Sequence, residues 1–292
     1  MRQSLTLVFC ALAALAACGE DTASGDDRPT IVVTTNILGD IVGAVVGDAA
    51  NLEVVMPVGA DPHEFAPSAR QAEAMADADL LVQIGAGFEA GMEDVIDSAA
   101  DAGAEVFTFV DHVELLGDDP HVWTDPSRVA DGVEALGARL ADVEGVDAAA
   151  VSAQADTYLA ALGELESAMD AVLAVVPDER RVLVTDHEVF GYFADRFDFD
   201  VVGTVIPSTT TDAAASAADL DALAEVIRDT GVPAIFTEAG QSDELVDALA
   251  DEVGDIDVVA LFAESLGGPE SGAATYLQMM RTNTELIVGA LG

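Results

Sequence analysis

Eight short runs rich in β-branched residues alternate with amphipathic stretches, and this alternation limits the fold more than any other feature of the chain. It is typical of βα units, in which crossover helices join parallel strands. The predicted strands are 31–35, 52–57, 80–85, 105–110, 181–186, 200–206, 234–238 and 257–262. They fall into two groups of four, which favours two separate sheets.

A long helical tract, from Asp147 to Val175, separates the two groups of strands. Its apolar residues recur at intervals of four and three, which places them on one helix face. They are Tyr158, Leu162, Leu165, Met169 and Val172. A helix of this length would extend about 40 Å at about 1.5 Å per residue. We therefore predict an α/β protein of two lobes, each a mostly parallel sheet flanked by helices, joined by one long connecting helix.

The N-terminus has the pattern of an export signal. Arg2 precedes an apolar run from Leu5 to Ala17 that is too short to span a bilayer. The run ends in "LAAC", which resembles a bacterial lipoprotein processing box, in which the cysteine, here Cys18, is lipidated. A signal that is cleaved without lipidation is the alternative. The next residues are small, polar and acidic, and they predict a flexible tether.

These features give a predicted order of segments along the chain. They are a signal peptide at 1–17, a tether at 18–29, an N-terminal lobe at 30–146, a connecting helix at 147–176 and a C-terminal lobe at 177–292. We expect an extracytoplasmic monomer, held at the cell membrane by its lipid anchor.

Charge and cysteine content narrow the possible ligands. The chain has 55 acidic and 10 basic residues, and its net charge of −45 argues against nucleic-acid binding. This excess attracts cations, although a general acidic surface suited to salty surroundings also accounts for it. Cys10 would leave with the signal and Cys18 would carry lipid, so the mature chain would have no free thiol. A metal site would therefore use nitrogen and oxygen ligands.

Three of the four histidines lie in loops after predicted strands, at the edge where open parallel sheets bind their ligands. His63 and His121 come from the first lobe and His187 from the second. Glu264 follows the last strand and would bring a carboxylate to the same cleft. His112 lies directly after a strand and does not follow an Asp-Pro pair. We predict a surface or structural role for it.

His63 and His121 share a local setting, since each follows an Asp-Pro pair. Proline stiffens the loop, so the imidazole loses less entropy when it binds a ligand. Either nearby carboxylate, Asp61 or Asp119, could hold the second ring nitrogen and fix the tautomer.

Several motifs together resemble the zinc- and manganese-binding lipoproteins of ABC importers, a family of two-lobed solute-binding proteins with a rigid connecting helix. They are "GADPHEFAPSARQ", "DPHVWTDP", "VTDHEVFGYFADRF", "AIFTEAGQS", "LFAESLGG" and "TYLQMMRTNTELI", in the family's order. The resemblance implies that His63, His121, His187 and Glu264 bind a divalent metal ion for delivery to a membrane permease. It also implies that the chain is not an enzyme. The fourth ligand is more usually aspartate, and the family usually has a bulky aromatic residue near Gly91.

Two other functions remain possible from the residues alone. Three histidines with an open fourth position would suit a lipid-anchored zinc hydrolase. The candidate ligands lie 58, 66 and 77 residues apart, however, which favours a clamp between lobes. The polar run from Pro207 to Asp212 could bind an organic solute, although its Ser and Thr residues are more often helix caps.

Zinc is the predicted ion, because three imidazoles and one carboxylate form a nitrogen-rich donor set that suits tetrahedral Zn²⁺. Manganese is the alternative, since two-oxygen binding by Glu264 would raise the coordination number.

Replacing Cys18→Ser should release the protein from membranes or leave it unprocessed, because serine cannot accept the lipid. Membrane extraction and lipid labelling of the variant, compared with Cys10→Ser as control, test this. Unchanged extraction and labelling of Cys18→Ser would contradict a lipid anchor at Cys18.

Overall fold

The computed structural model describes residues 28–211, 213, 215–241, 244–254 and 256–292. The predicted signal peptide, Cys18, most of the tether and Asp212 lie outside the described residues. Within the described part of the chain, no helix combines the length and the apolar character needed to cross a bilayer.

Two four-stranded parallel sheets form the framework, with one sheet in each lobe. The first contains β1 (Thr30–Val33), β2 (Asn51–Val54), β3 (Leu80–Gln83) and β4 (Val106–Thr108), in the order β2-β1-β3-β4. The second contains β5 (Val182–Thr185), β6 (Asp200–Thr204), β7 (Ala234–Glu238) and β8 (Asp257–Leu261), in the order β6-β5-β7-β8. Neighbouring strands pair in parallel throughout. The predicted fold class is confirmed, and all eight predicted strands are present.

Helices connect these strands and cover the sheets. Those of the first half are α1 (Asn36–Val46), α2 (Ala69–Ala76), α3 (Glu93–Ala102) and α4 (Pro126–Ala141). The link between the lobes is α5 (Ala148–Leu173), and the second half contains α6 (Gly191–Phe197), α7 (Ala217–Thr230), α8 (Glu244–Val253) and α9 (Tyr276–Leu291). The sheets thus have helical layers on their faces, as parallel sheets require.

The connecting helix α5 is one unbroken element that continues through Gly163. It begins after Asp147, whose carboxylate accepts hydrogen bonds from two backbone N–H groups of the first turn. The predicted apolar stripe is buried as far as Met169, and Val172 at its end is 38% exposed. Val172 lies in a shallow groove beside polar residues of α9, and Leu173 is buried at this end of the helix instead.

One hydrophobic core extends through both lobes. It includes Ile31 of the first sheet, Phe236 of the second, Leu165 of α5 and Ile287 of α9. Two smaller clusters fill the opposite faces, under α2 and α3 in the first lobe and under α7 and α8 in the second. The shared core holds the lobes together along α5 and α9. The predicted segment boundaries at 147 and 176 remain a prediction.

The C-terminal helix also reaches into the N-terminal lobe at its first residue. The backbone N–H of Tyr276 donates to Asp40 Oδ2 at 2.8 Å, and its hydroxyl donates to the carbonyl oxygen of Trp123 at 2.7 Å. Tyr276 is completely buried. The last helix of the chain therefore contacts the N-terminal lobe, at α1 and at the loop that precedes α4.

Candidate metal centre

Four side chains from four separate loops meet between the lobes. They are His63 after β2, His121 after β4, His187 after β5 and Glu264 after β8. Each offers one ligand atom, and these atoms all lie within 4.8 Å of one another. All four side chains are buried, with no more than 2% exposed. The structure thus brings together the residues that the sequence singled out, two from each half of the fold.

One carboxylate oxygen lies next to all three imidazoles. Glu264 Oε1 is 2.8 Å from His63 Nε2, 3.1 Å from His187 Nε2 and 3.4 Å from His121 Nε2. Neighbouring ligand atoms of a tetrahedral zinc ion are about 3.3 Å apart, given metal–ligand bonds of about 2.0–2.1 Å. The spacing of these donors around Oε1 is therefore close to that of a four-ligand zinc site.

The contacts around Glu264 shift the pKa values of the cluster. Burial alone would favour the neutral carboxyl, but contacts with the three histidines lower the pKa of Glu264 well below its usual value. Burial likewise disfavours the charged form of His187, yet hydrogen bonds to Asp186 and Glu264 raise its pKa to about 11. Burial also opposes a charge on His121, whose pKa is raised by Asp119 and Glu264. Protons and metal ions therefore compete for the same nitrogens.

The cluster also contains buried polar atoms without hydrogen-bond partners among the described residues. They include His121 Nε2 and Glu264 Oε2. Buried polar atoms in folded proteins are almost always satisfied, so each exception calls for a ligand or a water. A divalent cation would satisfy both atoms, and the donor set of nitrogen and oxygen fits such an ion.

Neighbouring carboxylates orient two of the imidazoles. Asp119 Oδ1 lies 2.6 Å from His121 Nδ1 and also accepts from the backbone N–H of His121. Asp186 Oδ1 does the same for His187, with a distance of 3.0 Å to Nδ1. These contacts direct the Nε2 atoms toward the cluster and fix the ring orientation. Asp186 was missed in the sequence, although its position directly before His187 was the available signal.

The two Asp-Pro-His segments differ in whether the aspartate contacts the histidine ring. Asp61 accepts from the backbone N–H of His63, but the ring Nδ1 of His63 has no partner among the described residues. The second oxygen of Asp61 instead accepts from the hydroxyl of Thr211 at 2.7 Å. The proposed tautomer role is therefore wrong for Asp61, because its carboxylate forms a bridge to the other lobe.

The loop that carries Glu264 is fixed from both lobes. Glu238 Oε2 accepts from the backbone N–H groups of Ala263 and Glu264, at 2.7 and 3.2 Å. The indole N–H of Trp123 donates to the carbonyl oxygen of Ala263 at 2.6 Å. Asn36 Oδ1, at the start of α1, accepts from the backbone N–H of Leu266. These supports hold the carboxylate in place against the histidines.

Aromatic rings enclose one side of the cluster. The ring of Phe88 lies 5.1 Å from that of His63 and 5.7 Å from that of His121, and Trp123 lies 5.2 Å from His121. These edge contacts exclude water and lower the local dielectric constant, which strengthens charge interactions inside the cluster. The single tryptophan of the chain, two residues after His121, was a signal that could have identified this role.

Other candidate residues lie outside the cluster. His112 is exposed and stacks on Phe107 at 4.6 Å, in line with the surface or structural role predicted for it. The predicted capping role for the run from Pro207 to Asp212 is wrong, since Ser216 caps α7. A side chain at Gly91 would collide with the carbonyl oxygen of Phe65, which explains the glycine where the family resemblance suggests a bulky residue nearby.

Comparisons with known proteins agree with this geometry. The family model described as "Zinc-uptake complex component A periplasmic" matches residues 31–290. The chain belongs to this family. A manganese-binding lipoprotein, MntA of Halalkalibacterium halodurans, is 27% identical over 99% of this chain and 97% of its own length. The zinc-binding protein TroA of Treponema pallidum is 29% identical over 72% of this chain and 70% of its own length.

Solved structures extend the likeness to three dimensions. The structure of Treponema pallidum TroA superposes with a TM-score of 0.84 at 29% identity, covering 91% of this chain and 99% of that chain. A cadmium-bound periplasmic metal-binding protein from Candidatus Liberibacter asiaticus, 21% identical, shares the fold with a TM-score of 0.81, over 91% of this chain and all of that chain.

Family membership excludes an enzyme. Members are metal-binding solute-binding proteins of ABC transporters, and this chain is one of them. The hydrolase alternative is therefore wrong.

Replacing Asp119→Ala should weaken zinc binding about tenfold or more, because His121 Nδ1 would lose the carboxylate that orients the ring. Asp118→Ala removes the same charge one residue away, from an exposed side chain, and serves as the matched control. Chelator competition measures both affinities. Equal affinities in the two variants would show that Asp119 does not support a metal ligand.

Proposed function

We propose that this protein captures one divalent metal ion outside the cytoplasmic membrane, with zinc preferred, and delivers it to an ABC-type permease. The observation that carries the proposal is the convergence of three imidazole nitrogens and one carboxylate oxygen between the lobes. The proposed ligands are His63, His121 and His187 through Nε2, and Glu264 through Oε1. Each of these residues would bind the transported ion, and none would carry out a chemical reaction.

Zinc is favoured by the chemistry of the donors. Imidazole suits Zn²⁺, whereas Mn²⁺ prefers more oxygen ligands and a higher coordination number. Zinc also lies above manganese in intrinsic affinity for such sites. The second oxygen, Glu264 Oε2, is the feature that favours manganese, because it lacks a partner among the described residues and could add a fifth ligand. Relatives named for manganese and for zinc both occur, so the donor set decides the proposal.

Release of the ion requires movement at the cleft. The four ligands are buried and come from both lobes, so a bound ion holds together loops that must separate before it leaves. The Thr211 to Asp61 hydrogen bond closes the same cleft next to His63. Interaction with the permease would have to open these contacts.

Relatives named as lipoproteins support an extracytoplasmic protein that is anchored at the membrane. The anchor would be the lipid on Cys18, with the tether between it and β1. We propose that the chain acts as a monomer, since each copy provides all four ligands.

Titration of the purified protein with zinc and manganese against a chelator tests the choice of ion. We expect one tightly bound zinc per chain, weaker manganese, and a smaller loss of affinity in Glu264→Ala than in His187→Ala. Zinc affinity should also fall from pH 8 to pH 6, because the raised pKa values of His121 and His187 make protons stronger competitors as the pH drops.

A site that holds manganese more tightly than zinc would overturn the zinc assignment and leave metal capture standing. Two of the variants also differ in a useful way, since Glu264→Ala retains three imidazoles whereas His187→Ala retains only two.

A further inference from the structure

A tyrosine of the C-terminal lobe holds the loop that carries His121. Tyr192 lies on α6, shortly after His187 in the chain, and its side chain is completely buried. Its hydroxyl accepts from the backbone N–H of Leu116 at 2.9 Å and donates to the carbonyl oxygen of Asp119 at 2.7 Å. Both partners belong to the loop between β4 and α4 in the N-terminal lobe. The hydroxyl therefore makes two hydrogen bonds from one lobe to the other.

These two hydrogen bonds join the ends of a tight turn. Within the turn, the backbone N–H of Asp119 donates to the carbonyl oxygen of Leu116 at 3.3 Å, and Gly117 has a positive φ of 64°, which favours glycine. The Tyr192 hydroxyl bonds to the other N–H and the other carbonyl oxygen of the two end residues. The backbone of Asp119 is therefore fixed by a contact with α6.

Asp119 is in turn the residue that orients His121. Its Oδ1 lies 2.6 Å from the ring Nδ1 and accepts from the backbone N–H of the same histidine. A carboxylate in this position fixes the orientation of a metal-binding imidazole. A path of hydrogen bonds thus leads from Tyr192 through Asp119 to His121, whose Nε2 is a proposed ligand atom.

The residue before Tyr192 lies against the same carboxylate. A Cβ atom at Gly191 would be 2.8 Å from Asp119 Oδ2, which is closer than non-bonded carbon and oxygen atoms normally approach. The glycine at the first position of α6 therefore leaves room for the carboxylate in the orientation that contacts His121. A larger residue at this position would force the carboxylate to turn.

The turn has little packing on one side. A cavity of about 480 Å³ adjoins it, with a wall that includes Leu116 and Asp119. The aromatic ring of Tyr192 is held separately, because the guanidinium of Arg128 lies 4.8 Å from the ring centre. Loss of the hydroxyl alone would therefore free the turn and leave the ring in place.

We propose that α6 positions the Asp119 carboxylate, and through it the His121 imidazole, from the opposite lobe. This inference rests on the proposed function, because it concerns a ligand of the transported ion. Gly191 gives the carboxylate its space, and Tyr192 holds its backbone. Separation of the lobes withdraws both contacts, so His121 loses its support as the cleft opens. Opening of the cleft thereby lowers the affinity for the ion when it has to be released.

Zinc affinity, measured by chelator competition, tests this role of α6. Tyr192→Phe removes the hydroxyl and keeps the ring. Tyr158→Phe is its matched control, because the buried Tyr158 hydroxyl has no hydrogen-bond partner among the described residues. Gly191→Ala adds the Cβ atom, and Gly163→Ala is its control, because a Cβ there meets no described atom outside its own helix within 4 Å. Each α6 substitution is also combined with Asp119→Ala.

We expect Tyr192→Phe and Gly191→Ala to lower zinc affinity about threefold or more relative to their controls, because the imidazole is less well oriented. In the Asp119→Ala background, each should change the affinity less than about twofold, since the carboxylate on which it acts is absent. A general effect on folding would persist in that background.

Control-level affinity in either α6 variant would overturn the inference. An undiminished loss in the Asp119→Ala background would also overturn it, since α6 would then act by another route. A wild-type protein that binds no zinc would overturn the proposed function itself, and this inference with it.

Discussion

The contact on which the structure depends is the one between Glu264 and the three histidines. A buried carboxylate is costly unless it is paired, and here its Oε1 lies within 3.4 Å of three imidazole nitrogens. Two of these nitrogens belong to the N-terminal lobe, and the third belongs to the same half of the fold as the carboxylate. The charge pairing, the hydrogen bonds and the contact between the lobes therefore all involve this one oxygen atom. A divalent ion bound among these donors would also join the two lobes at this point, and it would bring more positive charge to the carboxylate.

The rest of the fold supports this contact at several distances. The shared core and α5 keep the lobes side by side, and the Glu264 loop is held by Trp123 and Asn36 of the N-terminal lobe and by Glu238 of its own lobe. Asp119 and Asp186 then aim two imidazoles at the carboxylate. Each of these supports fixes a ligand before the ion arrives, which lowers the entropy lost on binding. Opening the cleft must break the lobe-to-lobe contacts among them, which links release of the ion to a change in structure.

Much of this could be predicted from local sequence. The eight strands follow from β-branched runs. The location of His63, His121 and His187 follows from the edge at which parallel strands end. Contacts between distant residues could not be predicted in this way. Asn36 and Ser265 are 229 residues apart, yet the Asn36 amide donates to the Ser265 hydroxyl at 3.1 Å. Local pattern also failed to separate Asp61 from Asp119, because the two settings match in sequence, yet Asp119 contacts the ring of His121 whereas Asp61 bonds to Thr211 across the cleft.

The central claim is that three imidazoles and one carboxylate bind a single ion between the lobes. X-ray absorption at the zinc edge, on protein loaded with one equivalent of zinc, measures that ligand set directly. The structure predicts a shell of three imidazole nitrogens and one carboxylate oxygen at about 2.0–2.1 Å. A shell made of oxygen alone, or one with fewer than three imidazoles, would contradict the claim.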